Sequence, residues 1–381
     1  MRQEINGPVA DQQHKYLTMT TDLYHHIYNG EIFQKTCCIE QENNLVDFFR
    51  NTLTNLGYHS VDSSRKVWQR GDRTVVVCLV DDVSTCSESV VSLTPYQFDA
   101  STVVITDNRI NCPTQYRVLQ LPSSFFGIYS YTPELSEWTP EKRFGLSVNR
   151  IDQKRLLLLL ELAFYMPRVS DDKILADFEY DNVNFNCWSW TGDNTTADGL
   201  RDNFVRLYAE LPDDQQEHYR DFYNELLKKM PIKNYIDSPE LIMTKNWLNL
   251  IVETYSGPET VALSEKIFRA LVTPAPWAAL SGRYSVAYLT ELGFDVLDDL
   301  VDHRYDYCET SSTEIVDNKI VDIMNVAKDT VARLQQQDLA KLQARCKQAA
   351  QHNQALLATM KQQWPRDFAA WLPSVISELS K

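Results

Sequence analysis

Glycine is scarce in this chain, 11 of 381 residues, and none of it forms a phosphate-cradling loop or a Gly-x-Gly-x-x-Gly turn. That absence removes the sequence basis for a P-loop ATPase or a dinucleotide-binding oxidoreductase, and no Ser–His–Asp order suggests a hydrolase. The cysteines are scattered at Cys37, Cys38, Cys78, Cys86, Cys112, Cys187, Cys308 and Cys346, with no CxxC pair and no neighbouring His ligands. Such spacing suits reduced thiols and argues against a structural zinc site. Long apolar runs are missing, as is a charged-then-apolar leader, so the expected setting is cytoplasmic, with no membrane partner and no secretion. Positive charge is also in deficit: 37 Lys and Arg face 52 Asp and Glu, a net charge of −15. A surface of that sign repels polyanions overall, so any contact with nucleic acid must come from a local basic groove.

What the chain does have is enough apolar sequence for two domains with separate cores. A first strand is expected over 32–39 and a helix over 43–56, with Leu45, Phe48, Phe49 and Leu53 on one face and Gly57 ending it. TVVVCLV at 74–80 and TVVIT at 102–106 are almost unbroken β-branched runs, as in strands buried on both faces of a parallel sheet; RVLQL at 117–121 is a third. Strands alternating with helices or long connections fit a doubly wound domain. The aromatic-rich loop over 122–140 is expected to be an interdomain hinge packed at the edge of a cleft. The second half restarts with a strand over 143–148, a leucine-rich helix over 152–165 and a strand over 173–178. Helices follow over 196–207 and 214–229. From 312 onward the chain is mostly helical, with Trp364-Pro365 expected to break it.

The most informative stretch runs from 247 to 306 and reads as strand, anion-binding loop, helix, strand, helix. NWLNLIVET at 246–254 is an apolar run closed by Glu253, followed by a Gly257-Pro258 break and a helix opening at Ser264. Ser264 suits an N-cap, and the helix N–H groups together with Lys266 make a spot fit for a phosphate. Glu265 beside it is placed to accept hydrogen bonds from ribose hydroxyls.

LIVET at 250–254, LSEKIFRAL at 263–271, Pro276, Gly282 and YLTELGFDVLDDLVDHRYD at 288–306 occur in an order that resembles the donor-binding half of GT-B glycosyltransferases. The resemblance is to the exostosin-like and fucosyltransferase-like group and its relatives in tailed phages. RFGLSVNRIDQKRLLLLLELA at 143–163 is a second match. The resemblance implies two facing doubly wound Rossmann-like α/β domains, an acceptor-side one over 1–135 and a nucleotide-sugar-binding one over 136–330. Helices over 331–381 then cross back. It implies transfer of a sugar from a nucleoside-diphosphate sugar, a co-substrate, with no other cofactor required. The first acceptor it suggests is a hydroxymethylated pyrimidine in DNA, the second a cell-surface glycan; a catalytically silent nucleotide- or partner-binding scaffold is the alternative. If the chain is phage-encoded, the cytoplasm is that of the host.

The expected donor site comprises Ser147, Asn149, Arg150, Arg155, Glu253, Ser264, Glu265, Lys266 and Arg269. Arg150 bridges two phosphate oxygens with its planar fork, Asn149 and Ser147 hydrogen-bond phosphate or sugar, and Arg155 and Arg269 add charge against the leaving diphosphate. The competing reading makes Asn149 a helix cap and the basic residues a solvated face. No Asp-x-Asp motif for a divalent cation is evident, so no metal is expected. The acceptor hydroxyl needs a base, for which Asp82, Asp81 and then Asp107 stand at strand ends, where Asp also serves as a turn residue. For a DNA acceptor, Arg65, Lys66, Arg70 and Arg73 around Trp68 form the basic cluster, the alternative being solvated charge on an edge hairpin. Trp188 and Trp190 share one side of an extended segment and stack on a base or a sugar, or pack in a core.

Overall fold

The β-branched runs at 74–78 and 102–106 become strands of one mixed α/β unit, and the apolar runs at 142–148 and 246–252 become the central strands of a second. The structure, a computed structural model, describes residues 48–62, 67–78, 100–106, 109–110, 116–122, 137–148, 156–158, 160, 183–187, 205–229, 243–253, 260–261, 263–307 and 315–381. The strands are His59–Asp62 (β1), Val67–Arg70 (β2), Arg73–Cys78 (β3), Thr102–Thr106 (β4), Arg109–Ile110 (β5), Arg117–Gln120 (β6), Lys142–Val148 (β7), Val183–Cys187 (β8), Asn246–Val252 (β9), Thr260–Val261 (β10) and Trp277–Leu280 (β11). The principal helices are residues 48–55 (α1), Asp213–Lys229 (α2), Glu265–Val272 (α3), Ser285–Glu291 (α4), Ile315–Leu334 (α5) and Leu339–Ser380 (α6). A 3₁₀ turn covers Arg304–Tyr307. No described helix is long and apolar enough to cross a membrane. One unit is drawn from Met1–Ser130, Glu259–Ser264 and Ala355–Lys381, the other from Tyr131–Pro258 and Glu265–Gln354.

In the first unit the sheet order is β1-β2-β3-β4-β6, with β1, β2 and β3 antiparallel in turn and β3, β4 and β6 parallel. Alternation along β3 and β4 sends Val75, Val77, Val103 and Ile105 to one face and Val76 and Val104 to the other, and all are buried. Phe48, Phe49 and Leu53 of α1 cover the first face with Trp364, Phe368, Leu372 and Val375 of α6. Each such side chain removed from water stabilises the fold by roughly 1.5–3 kcal/mol. Gly57 ends α1 at φ 83°, with Tyr58 N–H on Leu53 O at 2.9 Å and Gly57 N–H on Thr54 O at 3.0 Å, a left-handed closure that favours glycine.

The break expected at Trp364-Pro365 does not occur: α6 runs continuously through both residues. Pro365 contributes no N–H, a loss of about 3 kcal/mol in a helix interior. The burial of Trp364 and Phe368, which stack with centroids 4.9 Å apart, and of Leu372 outweighs it. The break before α6 comes instead at 335–338, where Asp338 Oδ1 accepts from Ala340 N–H at 2.9 Å and caps the helix.

The second unit holds an all-parallel sheet in the order β11-β9-β7-β8. The chain enters on β7, places β8 on one side, and adds β9 and β11 on the other. Among the described strands, this arrangement is compatible with a Rossmann-like α/β fold, with its switch of direction between β7 and β9. The expected strands over 32–39 and 173–178 lie outside the described residues, while β1, β5, β8 and β10 are strands not expected from the sequence.

The amino-terminal part of this sheet is locked by buried amides. Asn246 Nδ2 donates to Asn249 Oδ1 at 2.9 Å, and Asn249 Nδ2 donates to Met243 O at 3.0 Å and Pro276 O at 3.2 Å. Trp138 Nε1 donates to Asn246 O at 2.7 Å. Elsewhere, Asn353 of α6 accepts from Asp295 N–H at 2.8 Å and donates to Leu271 O at 2.8 Å, fixing the carboxyl end of α3. Arg345 holds both Asp295 and Asp299, at 2.8 and 2.7 Å.

Candidate functional site

Ligands of open parallel sheets bind outside the carboxyl ends of the strands, at the point where the strand order reverses. Here that point is the end of β7 and β9, where Ser147 pairs with Ile251 and Glu253 follows the last residue of β9. Glu253 is 1% exposed, and its N–H donates to Leu280 O at 2.9 Å, extending the ladder by one residue toward β11. A carboxylate in so dry a place is kept there only by polar partners, and Glu253 has them. After β9 the second unit resumes at α3, with Glu265 its first residue, Lys266 its half-buried second and Arg269 in its last turn. Ser264 directly precedes α3 in the chain and is buried, though its contacts group it with the first unit. Helix α3 is strongly amphipathic: Ile267, Phe268, Ala270, Leu271 and Val272 are all buried. That burial, more than the short helix's own propensity, fixes where its first turn lies.

Of the remaining expected donor residues, Asn149, Arg150 and Arg155 lie outside the described residues, as do the base candidates Asp81, Asp82 and Asp107 and the tryptophans Trp188 and Trp190. Arg65 and Lys66 also lie outside them.

The rest of the expected nucleic-acid cluster has a different task. Trp68 is 3% exposed and belongs to the core of the first unit, so its ring has no face for a base. Arg70 donates to Leu56 O at 2.9 Å and Leu379 O at 3.0 Å, with its guanidinium 4.7 Å above the Tyr58 ring. Tyr58 OH donates to the same Leu379 O at 2.9 Å. Arg73 pairs with Glu378 at 2.8 Å, and Arg117 pairs with that carboxylate too. These cations therefore bond one of the last carbonyls of α6, Leu379 O, and the Glu378 carboxylate beside it, and oppose the negative end of the helix dipole. Sequence reading found the cluster but assigned it to an external anion, whereas the anion is the end of the chain's own last helix.

A group that sequence reading missed stands at the next strand end. Ser281 follows β11 and is 0% exposed; its carbonyl accepts from Lys319 Nζ of α5 at 2.6 Å. Asp306 is also fully buried, and its Oδ2 accepts from Ala287 N–H at 3.0 Å in the first turn of α4. Burial pushes the Asp306 carboxyl above its ordinary range, against the pull of backbone N–H groups and Lys319. Neither Ser281 Oγ nor Asp306 Oδ1 has a hydrogen-bond partner. Asp306 lies inside the DHRYD stretch that carried the resemblance, so it was visible as a pattern. Lys319 carried no signal, because a lysine on a helix ordinarily faces water.

The segment leading to Asp306 is held by a closed network. Tyr305 OH accepts from Ala279 N–H at 3.0 Å and meets His303 Nδ1 at 2.7 Å, while His303 Nε2 meets Val296 O at 2.9 Å. A carbonyl only accepts, so Nε2 carries the proton. Burial lowers the His303 pKa and keeps the ring neutral, so Nδ1 accepts from the Tyr305 hydroxyl. Burial likewise raises Tyr305 well above the ordinary phenol range. All three groups are satisfied, in contrast to Ser281 Oγ and Asp306 Oδ1. Among the described residues no cluster of His, Cys, Asp or Glu is suited to a metal ion. No family model matches the chain, and no curated protein matches it.

Proposed function

We propose that this chain is a GT-B-like glycosyltransferase that takes a sugar from a nucleoside-diphosphate donor. The observation that carries the reading is the reversal of strand order between β7 and β9, with Ser147 and Glu253 at the strand ends and the Glu265-Lys266 start of α3 following β9. In this reading Glu253 and Glu265 accept hydrogen bonds from the nucleoside. Lys266 and Arg269, with Arg150, oppose the negative charge that builds on the diphosphate as the bond from the anomeric carbon to its oxygen breaks. The acceptor hydroxyl forms the new bond and gives its proton to a base. The sequence resemblance ranks a hydroxymethylated pyrimidine of DNA first as acceptor and a glycan second. A DNA acceptor needs a basic surface other than Arg70 and Arg73, which are engaged on the end of α6.

The test is thermal stabilisation by UDP, GDP and their sugar conjugates, with EDTA and with Mg²⁺. A ligand that binds only the folded state raises the melting temperature by mass action. Lys266→Ala removes one charge-assisted contact, worth about 1.5–3 kcal/mol, and weakens binding by roughly one to two orders of magnitude with little change in folding. No shift with any diphosphate at millimolar concentration refutes the donor site. Transfer to glycan acceptors without transfer to hydroxymethylated DNA refutes the DNA acceptor alone.

A further inference from the structure

Two buried side-chain oxygens without hydrogen-bond partners belong to residues that both engage Lys319, Ser281 just past β11 and Asp306. Ser281 Oγ and Asp306 Oδ1 both belong to residues that are 0% exposed. Both residues are tied to Lys319, Ser281 through its carbonyl at 2.6 Å and Asp306 through charge. A hydroxyl and a carboxylate oxygen left unbonded in a dry site are costly, and native folds hold few of them.

The turn that joins them is strained as well. Tyr284 has φ 63° and ψ 19°, a left-handed conformation unusual for an aromatic residue, and its N–H donates to Asp306 O at 3.0 Å. Strained residues of this kind persist where the surroundings enforce them and gather at ligand sites. Arg283 stacks over the Tyr284 ring at 4.5 Å, and Tyr307, 55% exposed, meets that ring edge-on at 5.7 Å. Strand end, unpartnered buried atoms, strained turn and exposed ring fall within one short segment, 281–307, plus Lys319.

The chemistry selects the ligand group. A phosphate is repelled by the Asp306 carboxylate, and a metal ion by the Lys319 ammonium. A sugar hydroxyl answers both, donating to the carboxylate and accepting from the ammonium or the serine hydroxyl. An exposed tyrosine ring beside them suits the apolar C–H face of a pyranose. We propose that Ser281, Asp306 and Lys319 bind hydroxyls of the transferred sugar, with Tyr307 packing on its ring, and that residues 282–284, whose Tyr284 N–H is bonded to Asp306 O, move to admit it while Ser281 stays tied to Lys319. This rests on the donor reading above and adds to it the residues that recognise the sugar rather than the nucleotide.

The test is Ser281→Ala, with Tyr307→Ala as an independent second variant, titrated calorimetrically with UDP, UDP-glucose, GDP and GDP-mannose. Because the serine hydroxyl is unpartnered in the free protein, Ser281→Ala keeps or raises the melting temperature. It weakens the sugar conjugate about 3- to 10-fold and leaves the matching diphosphate unchanged, and Tyr307→Ala follows the same split. A fall of more than about 3 °C in the free Ser281→Ala protein overturns the proposal, since the hydroxyl then has a structural partner. Equal weakening of diphosphate and conjugate overturns it in favour of a nucleotide contact. Unchanged affinity for both overturns it while the donor reading stands. Absence of binding to every diphosphate and conjugate overturns both.

Discussion

Replacing Gly145 with Ala tests the amide lock of the parallel sheet. A Cβ built on Gly145 falls 2.1 Å from Asn246 Nδ2, 2.7 Å from Asn246 Cγ and 2.7 Å from Asn249 Oδ1. Those atoms are not the loose end of a flexible side chain: Asn246 and Asn249 are 0% and 2% exposed and bonded to each other at 2.9 Å. To admit the methyl, the pair must separate. Overpacking a core costs about 1–3 kcal/mol, and an amide stripped of its partner in a buried site costs about 1–3 kcal/mol more, so the sum is roughly 2–6 kcal/mol. Trp138 donates to Asn246 O at 2.7 Å and meets the Trp247 ring at 5.6 Å, so two of the chain's eight tryptophans report from this site in urea unfolding followed by fluorescence. The control is Gly71→Ala, where nothing lies within 4 Å of the new Cβ but φ is 63°; there the left-handed backbone alone costs about 1–2 kcal/mol. Because Asn246 supplies the closest contacts, Asn246→Ala in the Gly145→Ala background recovers part of the loss. A Gly145→Ala protein within about 1 kcal/mol of wild type, or one no less stable than Gly71→Ala, refutes the argument.

Tyr305→Phe strands the Ala279 N–H and the acceptor nitrogen of His303, and about 2–4 kcal/mol of stability is lost, measured by the same unfolding curve. Burial pushes the Cys346 thiol up to about 12, so this cysteine resists iodoacetamide at pH 8 until denaturant is added, as peptide mapping by mass spectrometry will show. Glu378 is held below the usual carboxylate range, chiefly by its hydrogen bond from Lys381, with burial opposing and Arg117 and Arg73 assisting. A lowered folded pKa means the ion-pair stabilisation is present above the unfolded value and is lost as pH falls through the folded one. Melting temperatures measured from pH 6 down to pH 3 therefore fall less steeply in Glu378→Gln than in wild type. His303 is lowered by burial, so its linkage opens at a higher pH. As pH falls below about 6.5 the unfolded ring gains a proton that the folded ring refuses, and stability falls until the folded value is reached. An NMR titration that shows His303 fully protonated in the folded protein at pH 6.5 contradicts this.

The chain's periodicities were enough to locate most described elements. TVVV at 74–77 and TVVIT at 102–106 are buried on both faces because a β-branched run has no polar side to offer water, and that property is local. The start of α3 after Ser264, the stop at Gly57 and the apolar NWLNLIV strand were legible for the same reason. What neighbours in sequence do not determine is which partners meet across the fold. Pro365 breaks an isolated helix, yet α6 runs through it, because Trp364, Phe368 and Leu372 gain more from the core than the missing N–H forfeits. Arg70 and Arg73 show basic charge in the sequence, but their partners at the end of α6, the Leu379 carbonyl and the Glu378 carboxylate, are more than 300 residues away along the chain. Lys319 and Ser281 are joined across 38 residues by a buried hydrogen bond that no pattern on α5 announces. Local sequence set the elements through propensity and side-chain alternation. Long-range pairing, which depends on how those elements pack, decided which charges are occupied within the fold and which polar atoms at the end of β11 are left without a partner.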